Sequence, residues 1–292
     1  MTDRLRRTRL YVPGNNPSMV QNASVFGADS IILDLEDSIP VSEKDAARIL
    51  VRNALQFLDF SNTEVTVRVN DSSTPFLEDD LFEIIPAKPD AIIIPKVESL
   101  KELKELDIRV TIIEEENDMK VGSVKFMPII ETAIGVVNIE EIASSPRVTV
   151  ISPGGEDLTA DLGIERTKEG AELSYIQSRM VVAAAAAKIQ IIDTVFADVN
   201  DIEGLVQSTK KAIPMGFHGK SCIHPIQIKP IHEAFLPSPE KIAQAKKIVE
   251  AYEKATRDGT GAITVDGRMI DVPVVKRSQR LLERARAGGV DV

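Results

Sequence analysis

Apolar and polar residues alternate along this chain in blocks of two kinds. Short, dense, β-branched runs are followed by longer stretches with apolar residues three and four apart. Arg9 to Val12 is the first short run, stopped by Pro13-Gly14. Asn16 before Pro17 is an N-cap and first-turn pair, so a helix is expected to about Phe26, where Gly27 ends it. Ser30 to Leu35 (SIILDL) predicts a buried strand leading into Glu36-Asp37. Ser42 with Asp45 resembles a capping box that uses Asp, opening a helix to about Leu58. Glu64 to Asn70 (EVTVRVN) reads as a strand, Phe76 to Ile85 as a weaker helix, and Asp90 to Pro95 as a strand carrying Lys96 at its end.

Glu98 to Leu106 has helical spacing, Ile108 to Ile113 alternates like a strand, and EEENDMKVGS reads as a solvated loop. Lys125 to Glu131 is strand-like, a helix is expected from about Gly135 to Ser144, and VTVIS is a further strand. Asp157 opens an expected loop, DLTADLG, before a long helix from about Glu169 to Lys188. Strand Gln190 to Val195, helix Asp201 to Met215, strand HGKSCIHP and a short helix from Ile226 to Phe235 complete the series.

Strand and helix thus alternate about eight times, with continuous apolar strands. This predicts a parallel sheet with helical crossovers, closed into an α/β barrel of the (β/α)8 TIM type. An open doubly wound sheet is the competitor, but no GxGxxG follows an early strand. Residues 1–236 are expected to form the barrel and 237–292 a C-terminal extension. In the extension, Pro239 to Arg257 is amphipathic, Gly259 to Gly267 is a hairpin candidate, and a basic helix closes the chain.

Composition removes several function classes. Of 292 residues 43 % are hydrophobic, enough for a sizeable core, and the formal net charge is −10. Nucleic-acid and anionic-membrane partners are therefore not expected. Aromatics are 4 % with no Trp, which disfavours base-stacking platforms. Cys222 is the only cysteine, so an intrachain disulfide and a Cys-rich zinc site are excluded, and a buried apolar role is expected for it. No secretory signal or membrane span is visible, and a cytoplasmic location is the expectation. Arg4, Arg6, Arg7 and Arg9 form a basic cluster, read either as a contact for the phosphates of a ligand or as an exposed basic end.

A barrel gathers its strand ends at one face, where barrel enzymes keep their chemistry. The residues there are Pro13-Gly14, Glu36-Asp37, Arg68 with Asn70, Lys96, Glu131, Glu156-Asp157, Asp193 and His224. Glu131 and Asp157 end consecutive strands, so they can point into one mouth and hold a hard divalent cation. Acids mixed with two cations fit a metal plus an anionic substrate better than a charge-relay nucleophile. Each residue also has a structural reading. Glu36 and Asp37 either ligate, complement a helix dipole or pair with Lys96. Arg68 either binds substrate or closes an ion pair, Glu131 and Asp157 either ligate or cap, and His224 reads as a satisfied loop histidine. Gly154-Gly155 allows close backbone approach, by a ligand or by a helix.

RRTRLYVPGNNP, GADSIILDLEDSIPVSEKDAAR, VRVN, IIIPKVES, IIETAIGV, GGEDLTADLG, HGKSCIHPIQI and GRMIDVPVV together resemble the citrate lyase β-subunit family, with malyl-CoA lyases and related stand-alone thioester lyases. The resemblance runs from about Arg6 to about Pro273. It implies a Mg²⁺-dependent carbon–carbon lyase that cleaves a citryl thioester, on CoA or an acyl carrier protein, to oxaloacetate and an acetyl thioester. It implies that Glu131 and Asp157 hold Mg²⁺, that Arg68, Glu131 and the backbone at Gly155 and Glu156 bind substrate, and that Asp271 is a catalytic acid/base. Glu36, Asp37 and Lys96 stand behind these as supporting candidates. It further implies a homotrimer or hexamer in which the C-terminal extension acts as a lid on an adjacent subunit, with citrate lyase α and γ subunits as a further setting. IIETAIG and GGEDL lean toward the stand-alone branch, so a malyl- or citramalyl-CoA lyase, or malate synthase-like chemistry, is the alternative.

Overall fold

The computed structural model describes residues 4–257 and 263–292. Two compact units divide the chain, Met1–Ile231 and His232–Val292.

Eight parallel strands close a barrel in sequence order: β1 (Thr8–Pro13), β2 (Ser30–Asp34), β3 (Glu64–Arg68), β4 (Ala91–Ile94), β5 (Lys125–Ile130), β6 (Val150–Pro153), β7 (Gln190–Asp193) and β8 (Gly219–Cys222). β8 returns to β1 with Ser221 opposite Arg9. The crossovers are helical: α1 (Pro17–Asn22), α2 (Lys44–Phe57), α3 (Leu77–Ile84), α4 (Leu100–Glu116), α5 (Ala133–Val137), α6 (Ile139–Ala143), α7 (Gly155–Asp161), α8 (Ser174–Ala187), α9 (Ile202–Met215) and α10 (Ile228–Phe235). The expected (β/α)8 barrel is therefore present. Ile32, Ala91, Ile93, Met127, Ile129, Val150 and Ile192 fill its interior, with Tyr11 packed against them. Covered on both faces, β2 (SIILD), β4 (AIII) and β5 (KFMPII) carry the dense apolar runs that made them legible.

Several local expectations fail. Ile108 to Ile113 is not a strand but the middle of α4. Leu103, Leu106, Val110 and Glu114 fall on one buried stripe of that helix, and Glu114 is satisfied by Arg147 Nη2 at 2.8 Å, which the local pattern does not reveal. DLTADLG is not a loop, because Leu158 to Asp161 belong to α7. Ser42 and Asp45 make no capping box: a short 3₁₀ turn precedes α2, and Asp45 pairs with Arg48 at 2.8 Å. The helix expected after β5 is split at Asn138 into α5 and α6.

Three arginines of the basic N-terminal cluster are taken up in ion pairs. Arg6 is buried against Glu64 at 2.6 Å, Arg7 pairs with Asp29 at 2.9 Å, and Arg4 with Asp90 at 3.1 Å, all at the amino ends of the strands. Arg9 lies fully inside the barrel.

In the second unit, α11 (Pro239–Arg257) packs on α12 (Val272–Ala287) through Ile242, Ala245, Leu282 and Ala285. Gly259 to Ala262 of the expected hairpin lie outside the described residues, and the paired strands are β9 (Ile263–Val265) and β10 (Arg268–Ile270). Asp266 and Gly267, both at positive φ (50° and 75°), form the two-residue turn between them. No helix among the described residues is long and apolar enough to cross a membrane.

Candidate active site

The carboxyl ends of the strands surround a cavity of about 460 Å³, lined among others by Asp34, Asp37, Arg68, Glu131, Gly155, Glu156 and Asp157. That volume accommodates a small acyl unit.

Arg68, at the end of β3, is the organising cation. Its Nε and Nη2 grip Asp34 at 2.6 and 2.7 Å, its Nη1 meets Glu36 at 2.7 Å, and its plane lies 5.1 Å from the centre of the Tyr11 ring. Asp34 also accepts the backbone N–H groups of Glu36 (3.1 Å) and Ser38 (3.3 Å), so one side chain folds the β2 loop over the arginine. Burial alone would raise the Asp34 carboxyl, but the hydrogen bonds and charge of Arg68 outweigh it and leave it below its ordinary value. Lys44 donates to the carbonyls of Leu35 and Glu36 and to Asn70, while Asp80 accepts from Asn70 and Arg48, bracing the same loop from below.

Glu36 is therefore already paired, with Arg68 and with Lys96 at 3.3 Å. Burial pushes its carboxyl up to about 6, opposed by Arg68. Asp37 is exposed and 3.5 Å from Arg68. Of the readings open for these two acids, ion pairing is what the geometry contains.

Glu131 differs. It is 3 % exposed and accepts one hydrogen bond, from the backbone N–H of Lys96 at 2.8 Å. Lys96 adopts a left-handed φ of 53° at the point where it presents that N–H. Gly154 gives the carboxylate its room, because a β-carbon there would lie 2.2 Å from Glu131 Oε2 and 2.6 Å from its Cβ. Burial pushes the Glu131 carboxyl up to about 8, and the Asp157 charge adds to the rise. Asp157 and Glu156 lie exposed in the first turn of α7, Glu156 with Arg166 at 3.5 Å. The Gly155 N–H points to Thr194 Oγ1 at 3.3 Å.

Glu131 and Asp157 are thus two facing carboxylates with no ion-pair partner among the described residues. This donor set fits a hard divalent cation, which would replace their repulsion by attraction. Among the described residues no group of three or more His, Cys, Asp or Glu side chains is placed to hold a metal ion, so a cation at this acidic pair would take its other ligands from substrate and water.

Asp193 is spent on Lys220 at 2.6 Å, and His224 caps a 3₁₀ turn through Ile226 N–H. Burial pushes the Cys222 thiol up to about 12, an inert group. Asp271 belongs to the second unit, where its carboxylate caps α12 by accepting Val274 N–H at 3.2 Å. Sequence reasoning missed Asp34, Tyr11, Thr194, and Lys44 and Asp80, which brace the Asn70 it had placed at a strand end. An acid inside the β-branched run SIILD was the available signal for Asp34.

The model of the HpcH/HpaI aldolase/citrate lyase family matches residues 7–225. The chain belongs to this family. Membership marks it as a carbon–carbon lyase. Within the HpcH/HpaI aldolase/citrate lyase group, the citrate lyase subunit beta of Leuconostoc mesenteroides subsp. cremoris is 43% identical over 286 residues, covering 98% of this chain and 95% of that protein. The mitochondrial citramalyl-CoA lyase of Homo sapiens is 33% identical over 291 residues, covering 96% and 85%. Among solved structures, the CitE protein of Mycobacterium tuberculosis in complex with magnesium, acetoacetate and coenzyme A superimposes with a TM-score of 0.82 at 31% identity, covering 97% of this chain and 99% of that one.

Proposed function

We propose that this chain is a Mg²⁺-dependent lyase that cleaves a citryl thioester, on CoA or an acyl carrier protein, to oxaloacetate and an acetyl thioester. The observation that carries the proposal is the unpaired, buried Glu131 facing Asp157 beside an arginine held rigid by Asp34 and Glu36. Relatives named as citrate lyase β-subunits and a structural neighbour crystallised with magnesium and coenzyme A support it.

In this reading Glu131 and Asp157 hold the ion. Bound there, Mg²⁺ supplies Lewis-acid polarisation of the substrate's hydroxyl and adjacent carboxylate. Arg68 presents a fixed positive charge to the thioester oxygen, where negative charge develops as the carbon–carbon bond breaks. Two anchors fix its side chain, so no reorganisation accompanies the charge. The Lys96 N–H sets the orientation of Glu131, and Glu36 sets that of Lys96 and Arg68. Backbone at Gly155 and Glu156 approaches the substrate carboxylate. Asp271, carried by the C-terminal unit of an adjacent copy in a trimer or hexamer, delivers a proton to the enolate carbon. A cytoplasmic setting with citrate lyase α and γ subunits belongs to this reading.

A stand-alone malyl- or citramalyl-CoA lyase is the second reading, favoured by the IIETAIG and GGEDL motifs. The purified chain, assayed alone with citryl-CoA, malyl-CoA and citramalyl-CoA, separates the two. Chelator-sensitive cleavage of citryl-CoA is expected. Absence of turnover with every thioester, or turnover indifferent to the metal, overturns the lyase proposal.

A further inference from the structure

Arg9 is a buried cation without a buried anion. Of the five buried arginines among the described residues, Arg6, Arg48, Arg68 and Arg147 each have a carboxylate at 2.8 Å or less. Arg9 is 0 % exposed, yet no carboxylate lies within ion-pairing distance of it among those residues. Its Nη2 donates to Ser152 Oγ at 2.8 Å and Ser221 Oγ at 3.3 Å, its Nη1 reaches only Met127 Sδ at 3.9 Å, and its Nε has no partner. A guanidinium is too basic to answer burial by losing its proton, so the charge stays and is costly unless a ligand compensates it.

Its place in the barrel says what that ligand is. Arg9, Ser152 and Ser221 line the same cavity as Glu131 and Asp157. Arg9 lies two residues before Tyr11 on β1, and Ser152 two residues before Gly154 on β6, so this trio forms the layer beneath the mouth. Two residues of strand are about 6.6 Å, less once tilt is counted. A carboxymethyl arm and one hydrogen bond of about 2.8 Å cover that depth. A CoA or carrier arm is too long for the cavity and must leave through the mouth, so the floor meets the free end of the acyl chain.

We propose that Arg9, aligned by Ser152 and Ser221, is a specificity-determining residue that receives a second carboxylate of the acyl unit, selecting dicarboxylic hydroxyacyl thioesters and a dicarboxylic 2-oxo acid product. This rests on the lyase reading and narrows its substrate. The bond chemistry is unchanged: the hydroxyl-bearing carbon loses its bond to the thioester α-carbon and becomes the ketone of the oxo acid. The hydroxyl proton is released, the bonding pair leaves with the thioester enolate, and the α-carbon takes up a proton. The carboxylate on Arg9 takes no part in these transfers.

Calorimetric titration with malate and lactate, which differ by that second carboxylate, tests the subsite in the presence of Mg²⁺ without catalysis. Wild type should bind malate on the order of 100-fold more tightly than lactate, the range of a hydrogen-bonded charge pair away from water. Arg9→Met should erase the preference, leave lactate binding unchanged and raise the melting temperature, because an unpaired buried charge is replaced by a side chain of similar length. Arg9→Lys should restore part of the preference. A purely structural arginine predicts the opposite: a less stable Arg9→Met with its malate preference intact, which overturns the proposal. Equal affinities in wild type overturn it too, and decide the matter even where Arg9→Met does not fold. Malate preference with no cleavage of any thioester would sink the lyase reading and leave the subsite standing.

Discussion

Binding of Mg²⁺ at Glu131 and Asp157 should expel close to one proton. In the metal-free protein, burial and the Asp157 charge hold the Glu131 carboxyl up to about 8, so at pH 7 about nine-tenths of the molecules carry that proton. Coordination needs the carboxylate form. The apparent affinity is therefore lowered about tenfold at pH 7 and about 100-fold at pH 6, or ~1.4 kcal/mol per pH unit. Isothermal titration in two buffers of different ionisation heat counts the proton: about 0.9 at pH 7, falling toward zero above about pH 9. The same group sets a stability profile. Its folded value lies above the ordinary 4.5, so the native state binds the extra proton between about 4.5 and about 8. Stability of the metal-free protein is thus fully present below the lower value and declines as pH rises through the upper one. The interval bounds the loss at roughly 5 kcal/mol, and water in the open mouth brings the expectation down to about 2–3 kcal/mol. Glu131→Gln should flatten both curves. Mg²⁺ affinity that is independent of pH between about 6 and 8, with no proton released, refutes the reasoning.

Other perturbations probe the frame around that carboxylate. Arg68→Lys keeps a charge but loses the two-pronged grip on Asp34; kcat/KM should fall by about 10²–10³ in a steady-state assay, whereas Arg68→Ala should also lower the unfolding free energy by about 3–5 kcal/mol, because Asp34 and Glu36 stay buried without their cation. Gly154→Ala places a β-carbon 2.2 Å from Glu131 Oε2; turnover at saturating Mg²⁺ should drop at least about tenfold, a near-attack geometry being lost, with an unchanged circular dichroism spectrum. Asp271→Asn should reduce turnover by about 10²–10⁴ while Mg²⁺ affinity and melting temperature hold, since Asn caps a helix as well as Asp does. An unchanged rate in that variant would leave Asp271 only its capping role.

What the sequence disclosed and what it hid follow one division. Strands with a dense apolar run, such as β2, β4 and β5, announce themselves, and Glu131 was found because it is the acid that stops such a run. Features settled by a distant partner were not visible. Ile108 to Glu116 look like a strand giving way to a solvated loop until Arg147 arrives from another crossover to satisfy Glu114. DLTADLG is rich in turn formers, yet Thr159 bonds back to the Gly155 and Glu156 carbonyls and Asp161 accepts the Ala133 N–H, so the segment winds into α7. Arg9 was grouped with Arg4, Arg6 and Arg7 as a phosphate contact or an exposed basic end, although it lies further along β1, inside the barrel, than the pairs Arg6 and Arg7 make.

The charges in the cavity sort themselves once those pairs are removed. Asp34 and Glu36 are held by Arg68, Glu36 also meets Lys96, and Asp193 is held by Lys220. Among the described residues, what is left without an ion-pair partner is an acidic pair at the rim, Glu131 with Asp157, and a cation on the floor, Arg9. A carboxyl held protonated by burial and its neighbour's charge, and a cation without an anion, both cost the empty protein stability, and a ligand carrying complementary charges removes both penalties together. A dicarboxylic hydroxyacyl unit on Mg²⁺ has that pattern: the ion answers the rim and the second carboxylate answers the floor. Each half should then help the other, with Mg²⁺ tightening malate binding and malate tightening Mg²⁺ binding by the same factor.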